Sequence, residues 1–187
     1  MTIEARNLQL CYDREVVIED LSLGVTPGEI TALVGPNGSG KSTLLKALAR
    51  ILRPRRGDVL LDGRAIRSYP ARTVAQRLAL LPQSPEAPMG LSVRDLVDYG
   101  RHPWRRGFQG PRPADRVAVD RALTLTGMGI FADRTLGALS GGQRQRAWIA
   151  MILAQDADML LLDEPTSFLD MAHQVELMRL IERLNTD

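Results

Sequence analysis

The sequence predicts an α/β protein with a helical subdomain inserted into its core. The first third is rich in short apolar runs typical of strands, and residues 84–155 carry mostly helical patterns. A further apolar run and an amphipathic segment follow at residues 159–184. We therefore expect a core formed by residues 1–83 and 156–187, and an inserted helical subdomain at residues 84–155.

The composition favours one globular domain. The 187 residues carry 24 basic and 22 acidic side chains, so the formal net charge of +2 is too balanced to favour nucleic-acid binding. The single cysteine, Cys11, excludes an intramolecular disulfide and fits a reducing compartment. No apolar run approaches the roughly 18 residues of a transmembrane helix, so we expect any membrane role to come through a partner.

The N-terminal third contains the strand signals. The run from Ile30 to Val34 is apolar and followed by glycines, which is typical of a buried parallel strand. Asp62-Gly63 after an apolar run predicts a tight turn. The expected strands are residues 2–10, 21–25, 30–34, 59–61 and 78–81, and the expected helices of this part are residues 41–52 and 71–79.

Helical patterns dominate the insert. The spacing of Ser92 and Asp95 predicts a capped helix start. Residues 101–113 are rich in arginine, glycine and proline and predict a long loop. The remaining expected elements are helices at residues 114–126, 140–155 and 169–184, and a strand at residues 159–162.

Residues 35–42, Gly-Pro-Asn-Gly-Ser-Gly-Lys-Ser, match the phosphate-loop pattern G-x-x-x-x-G-K-[ST] between a predicted strand and a predicted helix. The glycines let successive backbone N–H groups turn toward an anion, and the N-terminus of the helix favours negative charge. Lys41 can reach the β- and γ-phosphates of a nucleotide, and the Ser42 hydroxyl can bind Mg²⁺.

A second chemical signal is the acidic end of the strand predicted at residues 159–162. Asp163 and Glu164 follow it directly, at the strand end that faces the ligand crevice in a parallel sheet. Asp163 can hold Mg²⁺, and Glu164 can act as general base on an attacking water.

The string from Leu139 to Gln143 predicts a second anion site. Ser140 and Gln143 form a capping box, and Gly141 and Gly142 leave the N–H groups of the first turn uncovered. Two glycines cost about 1 kcal/mol each relative to alanine at a helix start, which indicates that a close backbone approach is needed there.

Together, residues 35–42, 139–143 and 162–165 resemble the motifs of an ATP-binding-cassette (ABC) ATPase, in the order and spacing of that family. The resemblance covers nearly the whole chain. It implies a P-loop NTPase core with an N-terminal antiparallel β-subdomain and the inserted helical subdomain, and it implies ATP and Mg²⁺ as cofactors. It also implies a homodimer, because in this family the segment 140–143 of one copy contacts the γ-phosphate held by Lys41 of the other.

The resemblance adds residue roles. Tyr12 stands where an aromatic ring stacks on adenine, Gln83 matches the glutamine that senses Mg²⁺ and the attacking water, and Asp170 lies in a loop that contacts the opposing subunit. The implied catalytic residues are Glu164 and Gln83, and the implied metal-binding residues are Ser42, Gln83 and Asp163. The implied nucleotide-binding residues are Tyr12, Gly35, Pro36, Asn37, Gly38, Ser39, Gly40, Lys41, Ser42, Thr43, Ser140, Gly141, Gly142, Gln143 and Asp170.

Residues 91–104 and 166–174 resemble cassettes that power the import of iron–siderophore, heme or cobalamin, with manganese or zinc importers as close alternatives. This implies integral membrane permease subunits as partners, a place at the cytoplasmic face of the membrane, and no nucleic acid. Residues 84–138 would meet the permease, and Arg101 to Arg106 with Trp104 form either part of that face or a solvated loop.

The family has a switch histidine on a strand after the last helix seen here, and that strand lies centrally in the sheet. We therefore expect a C-terminally truncated chain, an incomplete sheet with exposed strand edges, and weak hydrolysis. Two alternatives to the importer subunit stay open: a soluble ABC ATPase outside transport, and a nucleotide-binding module with little hydrolysis.

Overall fold

Two small sheets and a set of helices make up the computed structural model, which describes residues 1–105, 110–167 and 169–186. The strands are β1 (Ile3–Tyr12), β2 (Glu15–Val25), β3 (Arg56–Leu61), β4 (Arg64–Ala65), β5 (Leu78–Leu81) and β6 (Met159–Leu162). The α-helices are α1 (Lys41–Leu48), α2 (Ala71–Arg77), α3 (Val93–Tyr99), α4 (Pro113–Leu125), α5 (Gly141–Ala154) and α6 (Met171–Thr186). Short 3₁₀ turns join several of them.

The N-terminal sheet is antiparallel, with the strand order β2-β1-β3-β4. One face of β1 is fully buried against helix α1 through side chains such as Ile3, Leu8 and Leu10. Asn7 has a φ of 48°, and the register between β1 and β2 shifts there, which keeps both halves of the long strand facing the core. The predicted antiparallel β-subdomain is confirmed.

The turn between β3 and β4 uses Asp62 and Gly63, with φ angles of 48° and 75°. Two consecutive residues with positive φ are typical of the tight hairpin turn that Asp-Gly favours. The side chain of Asp62 also accepts a hydrogen bond of 2.8 Å from the backbone N–H of Thr2, which attaches the turn to the start of β1.

The second sheet is parallel and consists of β5 and β6, paired from Leu78 with Met159 to Leu81 with Leu162. The pairing continues one bond further, because the backbone N–H of Asp163 donates to the carbonyl of Leu81 at 3.0 Å. Residues 82 and 163 thus leave the sheet at the same edge, and this edge faces the phosphate loop.

The prediction of a buried strand at residues 30–34 is wrong for this structure. Ile30 is 55% exposed and Val34 is 94% exposed. No strand among the described residues pairs with this segment, and a strand needs both ladder hydrogen bonds and burial to be stable. The parallel sheet of the described residues therefore has two strands, which fits the expected incomplete sheet.

A second core lies among the helices. Helices α3, α4 and α5 pack on one another through fully buried residues such as Val97, Leu123 and Ile152, and α5 also packs on β5. The capping box of α3 has the predicted partners, Ser92 and Asp95. In the described part of the chain, no helix is both long enough and apolar enough to cross a membrane. The domain boundaries at residues 84–155 stay a prediction.

Candidate functional site

The phosphate loop ends in a helix start that has no side-chain cap. Gly40 is the N-cap of α1 with a φ of 91°, a conformation that favours glycine. A Cβ at Gly40 would also lie 3.0 Å from the side chain of Ile18 and 3.2 Å from that of Val17. The loop can therefore pack against β2 only with glycine here, and the uncapped N–H groups of the first turn are left for another acceptor.

Lys41 folds back over the loop. Its Nζ donates to the carbonyl oxygens of Gly35 at 2.8 Å and Pro36 at 3.0 Å. Both carbonyls are neutral acceptors, so the ammonium has no carboxylate partner in these bonds and can exchange them for the charged oxygens of a phosphate.

A cleft of about 320 Å³ opens beside this loop. Its lining comes from the phosphate loop, the start of α1, one residue of β2 and the segments that follow both parallel strands. The lining residues are Val17, Asn37, Gly38, Gly40, Lys41, Ser42, Thr43, Gln83 and Glu164. Most of the predicted phosphate-loop residues and both predicted catalytic residues thus share one cavity.

Gln83 and Glu164 are in direct contact in this cleft. The Nε2 of Gln83 donates to Oε2 of Glu164 at 2.7 Å, and the hydroxyl of Ser167 donates to the same oxygen at 3.1 Å. Glu164 has a φ of 49°, which turns its carboxylate away from the line of β6. The second oxygen of the carboxylate is free of these two donors and can accept from a water.

The residues fit a magnesium ion next to a phosphate. Ser42 contributes a hydroxyl, Gln83 an amide oxygen, and Asp163 a carboxylate at the carboxyl end of β6, all of them hard oxygen donors that Mg²⁺ prefers. Ser42 and Gln83 line the cleft, whereas Asp163 is buried behind it, only 5% exposed. Phosphate oxygens and water would complete the coordination of the ion.

The capping box at Ser140 forms as predicted. The hydroxyl of Ser140 accepts from the backbone N–H of Gln143 at 3.2 Å, and the backbone N–H of Ser140 donates to Oε1 of Gln143 at 3.0 Å. A Cβ at Gly142 would lie 3.3 Å from the side chain of Leu169, so this glycine also has a packing reason that the sequence did not show. The segment does not line the cleft. One copy of the chain therefore does not bring its two predicted anion sites together.

Tyr12 and Asp170 also lie outside the cleft lining. Tyr12 is 44% exposed, and the Nζ of Lys46 on α1 lies 5.9 Å from the centre of its ring. Asp170 caps α6 by accepting from the backbone N–H of His173 at 2.9 Å. That hydrogen bond, followed by one from the His173 ring, holds the pKa of Asp170 below its ordinary value.

Gln145 is a buried residue that the sequence analysis missed. It lies one turn into α5, and its Nε2 donates to the carbonyl of Pro165 at 3.0 Å. This bond links the helix that begins at Ser140 to the turn that carries Glu164. The only sequence signal for it is a polar residue on the apolar side of the helix.

Arg101 contradicts both interpretations of this segment, as part of a partner-binding face and as a solvated loop, because its side chain is buried. Arg101 is 5% exposed, pairs with the fully buried Asp115 at 3.2 Å, and donates to the carbonyl of Ala154 at 2.7 Å. The Trp104 indole donates to the carbonyl of Gln155 at 2.6 Å. These bonds hold the Arg101 side chain in the interior and anchor the half-buried Trp104, so whether Trp104 contacts a partner stays a prediction. Arg106 of that prediction, and Phe168 of the loop before Asp170, lie outside the described residues.

Burial raises the pKa of Asp115, but the backbone N–H of Arg112 and the guanidinium of Arg101 outweigh it. The pKa of this carboxyl therefore lies below its ordinary value of 3.8. The carboxylate is the common partner of three arginines, since Arg105 also approaches it at 3.8 Å. The group is a structural ion-pair network and lies apart from the cleft residues.

Comparison with known proteins agrees with this geometry. Residues 18–167 match the ABC transporter family. The chain is 51% identical to the petrobactin import ATP-binding protein FpuD of Bacillus anthracis, over 98% of this chain and 67% of that protein. It is 49% identical to the iron(3+)-hydroxamate import ATP-binding protein FhuC of Bacillus subtilis, over 100% of this chain and 69% of that protein.

Among solved structures, one described as a metal-chelate type ABC transporter in an inward-facing conformation matches with a TM-score of 0.84 and 33% identity. The match covers 100% of this chain and 68% of that one. The chain thus spans about two thirds of the length of the proteins it resembles.

Proposed function

Because this chain belongs to the ABC transporter family, whose ATP-binding proteins are ATPases, we propose that it is the ATP-binding and ATP-hydrolysing part of an importer for an iron–siderophore or related metal chelate. The observation that carries the proposal is the cleft in which Lys41, Ser42, Gln83 and Glu164 meet. The import names of the relatives at 51% and 49% identity support the class of cargo.

In this proposal the phosphate loop binds the nucleotide. The N–H groups around Gly38 and Gly40 face the β-phosphate, and Lys41 exchanges its carbonyl partners for phosphate oxygens. Mg²⁺, held through Ser42 with Asp163 and Gln83, would neutralise charge that develops on the phosphate oxygens. Each of these groups would stabilise the negative charge of the transition state more than bulk water does.

Glu164 is the proposed general base. The amide of Gln83 and the hydroxyl of Ser167 donate to one oxygen of its carboxylate, which fixes the orientation of the group. The other oxygen can then accept the proton of a water that attacks the γ-phosphate. Because Gln83 lies at the start of the predicted helical subdomain, a change in its contact with Glu164 would move the segment that follows it.

We infer that a second copy completes the site. The capping box at Ser140 uses the backbone N–H groups of Ser140 and Gln143 and not those of Gly141 and Gly142, and this helix start does not line the cleft of its own chain. A homodimer with ATP between the copies would place this segment of one subunit on the γ-phosphate held by the other. Permease subunits at the cytoplasmic face of the membrane would be the further partners, and no nucleic acid is involved.

The first test is thermal unfolding of the chain with and without Mg-ATP. At a hundredfold excess over Kd, binding stabilises the native state by about 2.7 kcal/mol, which raises the Tm of a chain of this size by roughly 5–10 °C. Lys41→Ala should lose the shift. Lys46→Ala is the matched control, because Lys46 is the other lysine of the chain and its ammonium faces Tyr12.

An equal shift in the parent and Lys41→Ala would contradict the proposed phosphate site. Glu164→Gln should keep the shift and lose the release of inorganic phosphate. A parent chain that shows the shift without phosphate release would favour the alternative of a nucleotide-binding module with little hydrolysis.

A further inference from the structure

The proposed general base lies in a tight turn of residues 164–167, named here the base turn. The backbone N–H of Ser167 closes it by donating to the carbonyl of Glu164 at 3.0 Å. Glu164 has a φ of 49°, a conformation that residues other than glycine rarely adopt. Such a backbone persists only where neighbouring groups hold it. The contacts of the base turn therefore decide where the carboxylate of Glu164 points.

A side chain from another helix holds the base turn. Gln145, on α5, is 8% exposed, and its Nε2 donates to the carbonyl of Pro165 at 3.0 Å. This carbonyl has no second donor among the described residues. Pro165 directly follows Glu164, and its ring fixes its own φ, so little freedom is left between the two residues. Holding the Pro165 carbonyl thus restrains the backbone of Glu164.

Helix α6 holds the same stretch of chain at further carbonyls. Nε2 of Gln174 donates to the carbonyl of Leu169 at 3.0 Å and to that of Thr166 at 3.4 Å. Gln145 and Gln174 therefore reach the backbone that follows the general base from two different helices. Of the two, Gln145 is the more deeply buried and bonds the residue next to the base.

We propose that Gln145 is a positioning residue for ATP hydrolysis: its amide holds the base turn so that the carboxylate of Glu164 can take the proton of the attacking water. This role rests on the proposed function of Glu164 and extends it to a residue that does not line the cleft. A general base must lie within hydrogen-bond reach of the proton it takes. A displacement of about 1 Å is enough to slow a reaction on the order of a hundredfold.

The chemistry of an amide suits this position. Its N–H groups can donate to a carbonyl in the interior, and it brings no charge that would have to be buried. A lysine would also donate, but its ammonium would lose its hydration there. In Gln145→Met the side chain keeps about the same length and loses the donor, so this substitution removes the hydrogen bond and little else.

The test is release of inorganic phosphate from Mg-ATP by the chain, with thermal unfolding alongside. Gln145→Met should lower kcat on the order of tenfold to a hundredfold and leave KM little changed, because the phosphate loop is untouched. The matched control is Gln155→Met. Nε2 of Gln155, at the other end of α5, donates to the carbonyls of Ala75 and Leu78 at 2.6 and 3.1 Å, away from the base turn. Both variants should lose a similar amount of Tm, but the control should keep its kcat.

A double substitution separates positioning from a general structural role. In Glu164→Gln the base is already lost, so the addition of Gln145→Met should leave the residual kcat unchanged. Losses that multiply would overturn the proposal, and so would an equal fall of kcat in Gln145→Met and Gln155→Met. If Gln145→Met unfolds, Gln145→Asn replaces it, because its amide is one methylene too short to reach Pro165 and kcat should fall in the same way.

Hydrogen exchange of the nucleotide-free chain tests the geometry without hydrolysis. In Gln145→Met the backbone N–H of Ser167, which closes the base turn, should exchange several-fold faster than in the parent and in Gln155→Met. Unchanged exchange would overturn the proposal. A parent chain that releases no phosphate would count against the proposed ATPase activity alone, because the exchange of Ser167 still decides whether Gln145 holds the base turn.

Discussion

Replacing Asp115 by asparagine should destabilise the protein far more than its position on a surface helix indicates. The carboxylate is fully buried, and the side chain of its partner Arg101 is 6% exposed. Asparagine keeps an acceptor for the backbone N–H of Arg112 but removes the charge that balances Arg101. Leaving one buried charge without its partner costs about 3–5 kcal/mol, or a fall in Tm of roughly 6–20 °C for a chain of this size.

A control for this substitution lies on the same helix. Asp120 pairs with Arg94 at 2.7 Å, but the two side chains are 60% and 48% exposed. Solvent screens such a pair, so Asp120→Asn should cost about 0–1 kcal/mol. Urea unfolding followed by circular dichroism gives both free energies. Losses of equal size in the two variants would refute the reasoning that burial decides the value of the pair.

The same carboxylate predicts a pH dependence. Its hydrogen bonds hold the pKa of Asp115 in the folded chain below the ordinary 3.8, so the folded state favours the ionised form. This contribution is fully present above about pH 5, and it is lost as the pH falls through 3.8 toward the folded-state pKa. Unfolding free energies from pH 7 to pH 3 should therefore fall less steeply at the acid end in Asp115→Asn than in Asp120→Asn.

Two further substitutions test the packing of the helical subdomain by thermal unfolding. In Gly100→Ala the new Cβ would lie 2.1 Å from the carbonyl oxygen of Met151, so α3 and α5 must separate at a cost of about 1–3 kcal/mol, whereas Gly137→Ala has open space and should change stability little. A harmless Gly100→Ala would show that the two helices are not in close contact. Leu123→Ala removes a side chain that is 2% exposed and should cost about 2–5 kcal/mol, and a loss under 1 kcal/mol would contradict its place in the core.

Local signals in the sequence predicted local structure well. Both capping boxes, at Ser92 and Ser140, form with the predicted partners, because all their groups lie within four residues. The Asp62-Gly63 turn is confirmed for the same reason. The strands at residues 78–81 and 159–162 are also confirmed, but each of them has the other as its pairing partner.

Two features that depend on distant residues were predicted wrongly. An arginine-rich loop is equally compatible with a solvated surface and with a buried ion pair, and Arg101 is buried only because Asp115 and the end of α5 surround it. The apolar run at residues 30–34 has the composition of a buried strand, but a strand also needs a neighbour to pair with. Composition alone does not supply that neighbour.

The contact between Gln83 and Glu164 shows how a sheet converts two local patterns into one site. Each residue lies two positions beyond the end of its strand, and β5 pairs with β6 so that Leu81 is opposite Leu162. Because both residues lie the same number of positions beyond this pair, Nε2 of Gln83 and Oε2 of Glu164 come within 2.7 Å, although the residues are 81 positions apart in the chain. A slip of one residue would set Gln83 against Asp163 or Pro165 instead. The sequence indicates which residues follow the strands, but the register of the two strands decides which of them meet.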